Sequence, residues 1–220
     1  VAKGEYIFFL DSDDSLPRYA LATLLKIADK TQAPIVASRF FETGKTRKNT
    51  CRIRRPALKC FVRDRRIFST PCNKLYRADI LKKYRFIPNI YFEDWPFLTI
   101  LFAQIPFYAD TDTPCYTYND KNVSTVRSPF TQKKVDGYLT GIKAVADFYR
   151  DRPDYALARR RIGVAVKMLV SKVYKTQDEE LTRYLLKGLE PLFQDKTLAF
   201  RFLPLKVGYR LWRMRARERE

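Results

Sequence analysis

The chain contains no histidine, and its four cysteines, Cys51, Cys60, Cys72 and Cys115, form no C-x-x-C pair. A structural zinc cluster is built from such thiolate and imidazole sets, so the composition argues against one, and the cysteines read as reduced, cytosolic thiols. Long apolar runs are missing as well: no stretch reaches the ~18–20 apolar residues of a membrane span. The opening VAKGEYIFF lacks a hydrophobic signal core followed by a cleavage site, so secretion is not indicated. Seven glycines and no tandem period argue against repeats and low-complexity linkers. Acids are scarce, with 24 Asp and Glu against 43 Lys and Arg in 220 residues, a net charge of +19. Such a surface should attract an anion, and sign alone leaves nucleic acid, a phospholipid surface and a phosphorylated substrate open.

Against that scarcity, FFLDSDDSLP (residues 8–17) runs from apolar residues into three carboxylates within four positions. Unpaired buried carboxylates are too costly to be incidental, so a cation, a ring of backbone N–H groups, or both should meet them. EYIFFL is a short apolar run rich in β-formers, the pattern of a strand buried on both faces of a parallel sheet. Asp11, Asp13 and Asp14 then lie at its carboxyl end, where open α/β sheets bind ligands. Aspartates two apart on an irregular turn can converge on Mg²⁺ or Mn²⁺, which keeps phosphate oxygens among its ligands, so the arrangement suits a nucleoside diphosphate. The bland alternative is that Asp14 or Ser15 caps the next helix and Asp11 closes a turn, and for an isolated D-x-D-D the residues favour it.

Further along, Pro17 suits a first helical turn, and Ala20, Leu24, Ile27 and Ala28 line one face to about residue 30. APIVASRFF reads as the next strand, giving a βαβ unit over 5–41. Residues 45–66 hold ten bases and one acid, which predicts a solvated loop or a polyanion-facing surface. NKLYRADIL (73–81) reads as a strand or turn entering a short helix. FEDWPFLTILFAQI (92–105) reads as a helix burying Phe97, Leu98, Leu101, Phe102 and Ile105, and a strand follows near FYADTDTPCYTYN. From about Pro129 the spacing predicts helices over 131–150, 154–175 and 178–194. Glu93 and Asp94 open an apolar helix, where acids complement the dipole whatever else they do.

Two blocks in order are more specific than either alone. AKGEYIFFLDSDDSLPRYALATLL resembles the acidic-motif segment of family 2 glycosyltransferases, and NKLYRADILKKYRFIPNIYFEDWPF is similar to that family's N-K-L-Y/F-R…ED-x-x-F block. YTYNDKNVSTVRS is similar to its tyrosine-rich segment, so the resemblance runs from residue 2 to about 128. It implies an α/β, partial GT-A (Rossmann-like) mixed sheet with a C-terminal helical subdomain: residues 1–128 the carboxyl part of the catalytic domain, 129–194 helical, 195–220 a basic amphipathic tail. It implies a metal-dependent, inverting transfer from a nucleotide-sugar donor to a capsule, lipopolysaccharide or lipid-linked glycan. Asp13, with Asp11, would hold Mn²⁺ or Mg²⁺, and Asp11, Asp13 and Asp14 would hold the nucleotide-sugar. Asp94 would be the general base with Glu93 orienting it, and Asn73, Lys74 and Trp95 would lie on the acceptor side. Two departures stand out. No histidine is available late in the core, leaving Asn119 or Asp120 as substitutes, and the family's opening V-S-V-I-I-P-x-Y-N strand and V-D-D-G-S-x-D turn are not in the sequence, so the chain is expected to be the carboxyl part of a longer enzyme.

Three other readings compete. Carboxylate pairs also serve glycoside hydrolases, but those need no metal cluster. A basic nucleic-acid-binding protein fits the net charge, yet no binding motif is present and the acidic clusters would repel phosphates, so no nucleic acid partner is expected. A truncated fragment that catalyses nothing is the third. Residues 199–217 mix aromatic and aliphatic residues with six bases and no acid. They read either as an interfacial segment on an anionic membrane, placing the protein peripherally at the cytoplasmic face, or as a last core-docking helix.

Overall fold

The computed structural model describes residues 2–41, 49–64, 70–119 and 128–194. In chain order the elements are β1 (Tyr6–Phe8), α1 (Ala20–Thr31), β2 (Ile35–Phe40), β3 (Arg52–Arg54), α2 (Ala57–Arg63), β4 (Lys74–Arg77), α3 (Ala78–Lys83), α4 (Asp94–Phe102), β5 (Tyr108–Tyr116), α5 (Gln132–Tyr149), α6 (Tyr155–Thr176) and α7 (Glu179–Gln194). The described residues divide into two compact units, one from 1–86 and 97–127, the other from 87–96 and 128 onward.

The first unit is built on a five-stranded mixed sheet in the order β1-β4-β2-β5-β3. β2 and β5 are parallel, whereas β4 runs antiparallel to both β1 and β2, and β3 runs antiparallel to β5. This corrects the reading of residues 5–10 as a doubly buried parallel strand. β4, contributed from sixty-odd residues downstream, inserts between β1 and β2, so β1 pairs antiparallel and its residues are only half-buried. The fold class read from the sequence, a mixed α/β sheet followed by helices, is what the structure has.

α1 buries Ala20, Leu24, Ile27 and Ala28, the face its spacing predicted, against Val36, Leu75, Ala109 and Cys115. Fully burying a leucine such as Leu24 contributes about 1.5–3 kcal/mol. The helix stops at Gln32, whose left-handed backbone (φ 54°) lets its N–H reach the Ala28 carbonyl at 2.7 Å. α4 and the turn after it bury Phe97, Leu98, Leu101, Phe102 and Ile105, as expected. Phe102 stacks on Phe61 of α2 with centroids 4.1 Å apart.

Within the basic 45–66 segment, the described residues 49–64 include β3 and α2 rather than a continuous loop. Its arginines meet acids that β5 presents at alternate positions. The Arg52 Nε donates to Asp110 Oδ1 at 2.6 Å, and the Arg52 Nη1 and Nη2 donate to the two oxygens of Asp112 at 2.6 and 2.8 Å. The Arg54 Nε reaches Asp110 Oδ2 at 2.7 Å, and Arg39 on β2 reaches Asp112 at 3.3 Å. Residues two apart on a strand share a face, so R-I-R on β3 and D-T-D on β5 form a cross-strand ion-pair ladder. Asp110 is fully buried and the arginines are about a quarter to a third exposed. Bidentate hydrogen bonding from Arg52 holds the Asp112 carboxyl well below the usual carboxylate range.

In the second unit, α5 buries Val135, Tyr138, Ile142, Val145 and Tyr149, α6 buries Ile162, Val166, Leu169 and Val173, and α7 buries Leu181, Leu185 and Leu189. The Tyr184 hydroxyl donates to Asp136 Oδ1 at 2.6 Å, tying α7 to α5. Gly188 permits the close approach, because a Cβ there would lie 2.4 Å from a methyl of Leu139. Residues 195–220, with the amphipathic tail read from the sequence, lie outside the described residues, as does Asp120.

The ladder yields the first prediction. Asp110→Ala should destabilise the first unit by about 2–3 kcal/mol, less than the ~3–5 kcal/mol for a fully buried pair, because both guanidiniums keep solvent contact. Because the folded-state pKa of Asp112 is depressed, its contribution is present above about pH 4 and is lost as pH falls. Thermal melts of wild type and Asp112→Asn should thus differ most at pH 7, and the difference should start to shrink as pH falls below about 4. A difference that grows as pH falls would contradict the ladder.

Candidate active site

The turn after β1 is closed by the Asp14 N–H donating to the Asp11 carbonyl at 3.2 Å. What fixes it lies a hundred residues away. Tyr116, the last residue of β5, accepts the Asp11 N–H at 3.2 Å through its hydroxyl oxygen and donates that hydroxyl to Asp14 Oδ2 at 2.6 Å. The other Asp14 oxygen accepts the Asn119 N–H at 2.7 Å. Ser15 and Thr117 exchange backbone hydrogen bonds of 3.1 and 2.9 Å, and the Tyr19 hydroxyl donates to the Pro114 carbonyl at 3.0 Å. The Tyr116 ring is held by Phe8, centroids 6.2 Å apart, and edge-on by Phe40 at 5.4 Å. Burial, and then the hydrogen bond to Asp14, push the phenol far above its ordinary pKa, so it stays a donor at any working pH.

This geometry corrects the capping alternative. α1 has Tyr19 at its N-cap with no side-chain cap, and the Ala20 N–H is taken by the Pro17 carbonyl at 2.9 Å. Asp14 therefore serves the turn, with both oxygens committed, while Asp11 and Asp13 are exposed at the carboxyl end of β1. The three aspartates, equal in the sequence, divide into one anchor and two presented carboxylates. Tyr116 is the residue that sequence reasoning missed, although the quoted tyrosine-rich segment contains it.

Beside Tyr116 lies Cys72, whose thiol burial pushes upward in pKa. The next two residues enter β4 from inside the protein. Asn73 has left-handed backbone (φ 60°), its amide donates to the Ser38 carbonyl at 2.9 Å, and its carbonyl accepts both the hydroxyl and the N–H of Ser38. The Lys74 ammonium, fully buried, donates to the Thr70 carbonyl at 2.7 Å and to Asn73 Oδ1 at 2.9 Å. Charge-assisted bonds to backbone offset the cost of burying that cation.

Glu93, Asp94 and Trp95 belong to the second unit and are partly buried. Asp94 is the first residue of α4, where a carboxylate complements the helix N-terminus. The approach to it is constrained: Phe92 sits at φ 64°, unusual for a bulky residue, with its ring 4.5 Å from that of Tyr138. Two glycines one turn apart on α5 form the seat. A Cβ on Gly137 would lie 2.4 Å from the Tyr91 carbonyl oxygen, and one on Gly141 would lie 3.0 Å from the Trp95 ring. The buried Lys134 donates to the Ser128 carbonyl and hydroxyl at 3.0 and 2.6 Å and lies 5.8 Å from the Tyr91 ring centre. Backbone strain next to a motif persists only when packing over-determines it, and these contacts supply that packing.

Among the described residues, no three Asp, Glu or Cys side chains form a metal-binding group. Asp11 and Asp13 nevertheless fit a hard divalent cation: both are exposed oxygen donors on a turn fixed from behind, and such ions take one or two carboxylates and complete their shell with phosphate and water. Each Asp14 oxygen accepts one hydrogen bond within the turn, one of them from the backbone N–H of Asn119.

Comparison with known proteins agrees with this architecture. Residues 1–85 match the profile of Glycosyl transferase family 2, which bears out the resemblance over the D-S-D-D and N-K-L-Y-R blocks and stops short of F-E-D. No curated protein matches the sequence. The S. aureus TarS 1–349 structure in complex with UDP-GlcNAc superposes with a TM-score of 0.64 at 15% identity, over 98% of this chain and 64% of that one. The same TarS fragment in complex with UDP gives 0.54 at 13% identity, over 97% and 65%. These likenesses establish the GT-A-type fold, and this chain spans just under two thirds of the TarS chains it matches.

Tyr116→Phe should keep the ring packing and remove the bond to Asp14, costing about 1–2 kcal/mol for the carboxylate left without its donor. It should also broaden the amide resonances of residues 11–15 in NMR spectra. Unchanged stability together with unchanged amide shifts over the turn would show that the hydroxyl does not hold it.

Proposed function

We propose that this chain, whose residues 1–85 match Glycosyl transferase family 2, carries the metal-binding and general-base residues of a metal-dependent, inverting glycosyltransferase. It transfers a sugar from a nucleotide-sugar donor to a surface-glycan acceptor of the capsule, lipopolysaccharide or lipid-linked class. The observation that carries the reading is the turn itself: Asp11 and Asp13 exposed at a strand's carboxyl end while Tyr116, Asn119 and the Ser15–Thr117 pair hold it from behind. A uridine diphosphate donor is supported by the TarS fold relative, which was solved with UDP-GlcNAc and with UDP.

In this mechanism Asp13, with Asp11, would hold Mn²⁺ or Mg²⁺, which when bound would supply positive charge to offset that of the departing diphosphate. Asp11 accepts from the donor's ribose hydroxyls or completes the shell of the ion, and Asp14 acts on the nucleotide-sugar by fixing the turn. Asp94 takes the proton from the acceptor hydroxyl as it attacks the anomeric carbon, and Glu93 orients Asp94 or the acceptor. Trp95 offers its ring on the acceptor side, seated by Gly141. Asn73 and Lys74, which fix the start of β4, are also assigned to the acceptor. A base preset by packing rather than by substrate is the arrangement that lowers a barrier most, since no reorganisation is spent during the reaction. No helix among the described residues is long and apolar enough to cross a membrane, and we place the protein peripherally at the cytoplasmic face.

A paired substitution tests the reading. Asp13→Asn should lower Mn²⁺-dependent UDP affinity at least about tenfold and glycosyl transfer by several orders of magnitude. Asp94→Asn should abolish transfer and leave UDP affinity within about twofold, because a general base acts in the transition state. Calorimetry with UDP and Mn²⁺ reads both. Retained transfer in Asp13→Asn removes the metal role, and lost UDP affinity in Asp94→Asn moves that residue to the donor side.

A further inference from the structure

A cleft of about 390 Å³ opens between β3 and α2, lined by Arg54, Arg55, Lys59, Cys60, Arg63 and Asp64. Four cations thus face one acid. Arg54 spends its Nε on Asp110, whereas Arg55, Lys59 and Arg63 form no ion pair among the described residues. Other arginines find acids, as in Arg52–Asp112, Arg77–Asp79, Arg150–Asp147 and Arg152–Asp154. What distinguishes the cleft's cations is that they converge on one concave wall beside a single acid.

They are also held in place. Arg55 lies with its guanidinium carbon 4.3 Å from the centre of the Phe107 ring, which fixes a side chain that would otherwise sweep through solvent. Lys59 and Arg63 are four apart on α2, whose other face buries Ala57, Leu58, Phe61 and Val62. Like charges at that spacing destabilise a helix, so the pair carries a cost unless an anion sits between them. A concave wall of positioned guanidinium and ammonium groups matches the several oxygens of a phosphate better than a single carboxylate.

The cleft is remote from the acidic turn. Arg54 pairs with Tyr108 at the start of β5, and the turn is tied to Tyr116 and Thr117 at its end. Eight residues of strand separate them, about 25 Å at ~3.3 Å per residue. We propose that this cleft is a second ligand site, separate from the donor turn, that binds a phosphate-bearing anion. The phosphate can belong to a soluble phosphorylated compound or to a lipid headgroup, and the test separates the two.

Purified chain is titrated with inorganic tripolyphosphate by calorimetry at low salt and again at ~150 mM salt. Lys59→Gln/Arg63→Gln is compared with Lys30→Gln/Lys82→Gln, which removes the same charge from exposed positions elsewhere. The cleft variant should lose about tenfold in affinity, while the control stays within about twofold of wild type and screening by salt weakens all three. Co-sedimentation with phosphatidylcholine vesicles holding 25% phosphatidylglycerol forms the second arm. Vesicle binding lost in the cleft variant alone identifies a headgroup source, and tripolyphosphate binding with equal vesicle binding in both variants identifies a soluble one. All four substitutions are at exposed positions, and thermal melts confirm that the variants fold. UDP affinity should be unchanged in both variants, so failure here is distinguishable from failure of the transferase reading. Equal losses in the two variants, or no binding of either probe by wild type, would overturn the proposal.

Discussion

One phenolic hydroxyl connects the two ends of the chemistry. By accepting the Asp11 N–H and donating to Asp14, Tyr116 turns three neighbouring carboxylates into one anchored and two presented groups. Without such a partner, three acids in four residues would repel one another and splay into solvent. The ring can reach because β5 runs parallel to β2 at the centre of the sheet and ends beside the turn, with Phe8 and Phe40 fixing its plane. The site therefore depends on a sheet order that brings residue 116 beside residue 11, and that order depends on β4 inserting between β1 and β2.

The net charge of +19 takes on a different meaning once positions are known. Part of the basic 45–66 segment forms the sheet's edge strand β3, where Arg52 and Arg54 neutralise Asp110 and Asp112 and clamp β3 to β5. That ladder also sets up what lies beyond it: with Arg54 fixed by a buried acid, the following turn and α2 have a defined place, and the bases on their outer side remain for a partner. Charge used for structure and charge left on display come from one stretch of chain.

Much of this was legible in the sequence, and the exceptions share a cause. Periodicity located α1 with its buried face of Ala20, Leu24, Ile27 and Ala28, the apolar side of α4, and the helices from residue 132 onward, because a helix face is a local pattern. The acidic turn was legible as a site because three acids after an apolar run conflict with burial. What stayed hidden was pairing across distance. Nothing local says that β4 separates β1 from β2, that D-T-D faces R-I-R some sixty residues earlier, or that Tyr116 singles out Asp14. The alternation of Arg52, Arg54 and of Asp110, Asp112 was a usable signal for the ladder. For Tyr116 the signal was weaker, a tyrosine ending an apolar strand within a segment already singled out. Gly137 and Gly141, one helical turn apart, marked the close approach of Tyr91 and Trp95 without naming what approached.

The central claim is that the Tyr116-anchored turn is where a divalent cation meets a nucleoside diphosphate. Paramagnetic broadening tests it most directly, since Mn²⁺ erases amide signals only near where it binds. In a ¹⁵N-labelled sample with UDP, substoichiometric Mn²⁺ should first broaden residues 11–15 and 116–119 and spare β3 and α2. Broadening centred on other residues, or none at these positions with UDP present, would contradict the account.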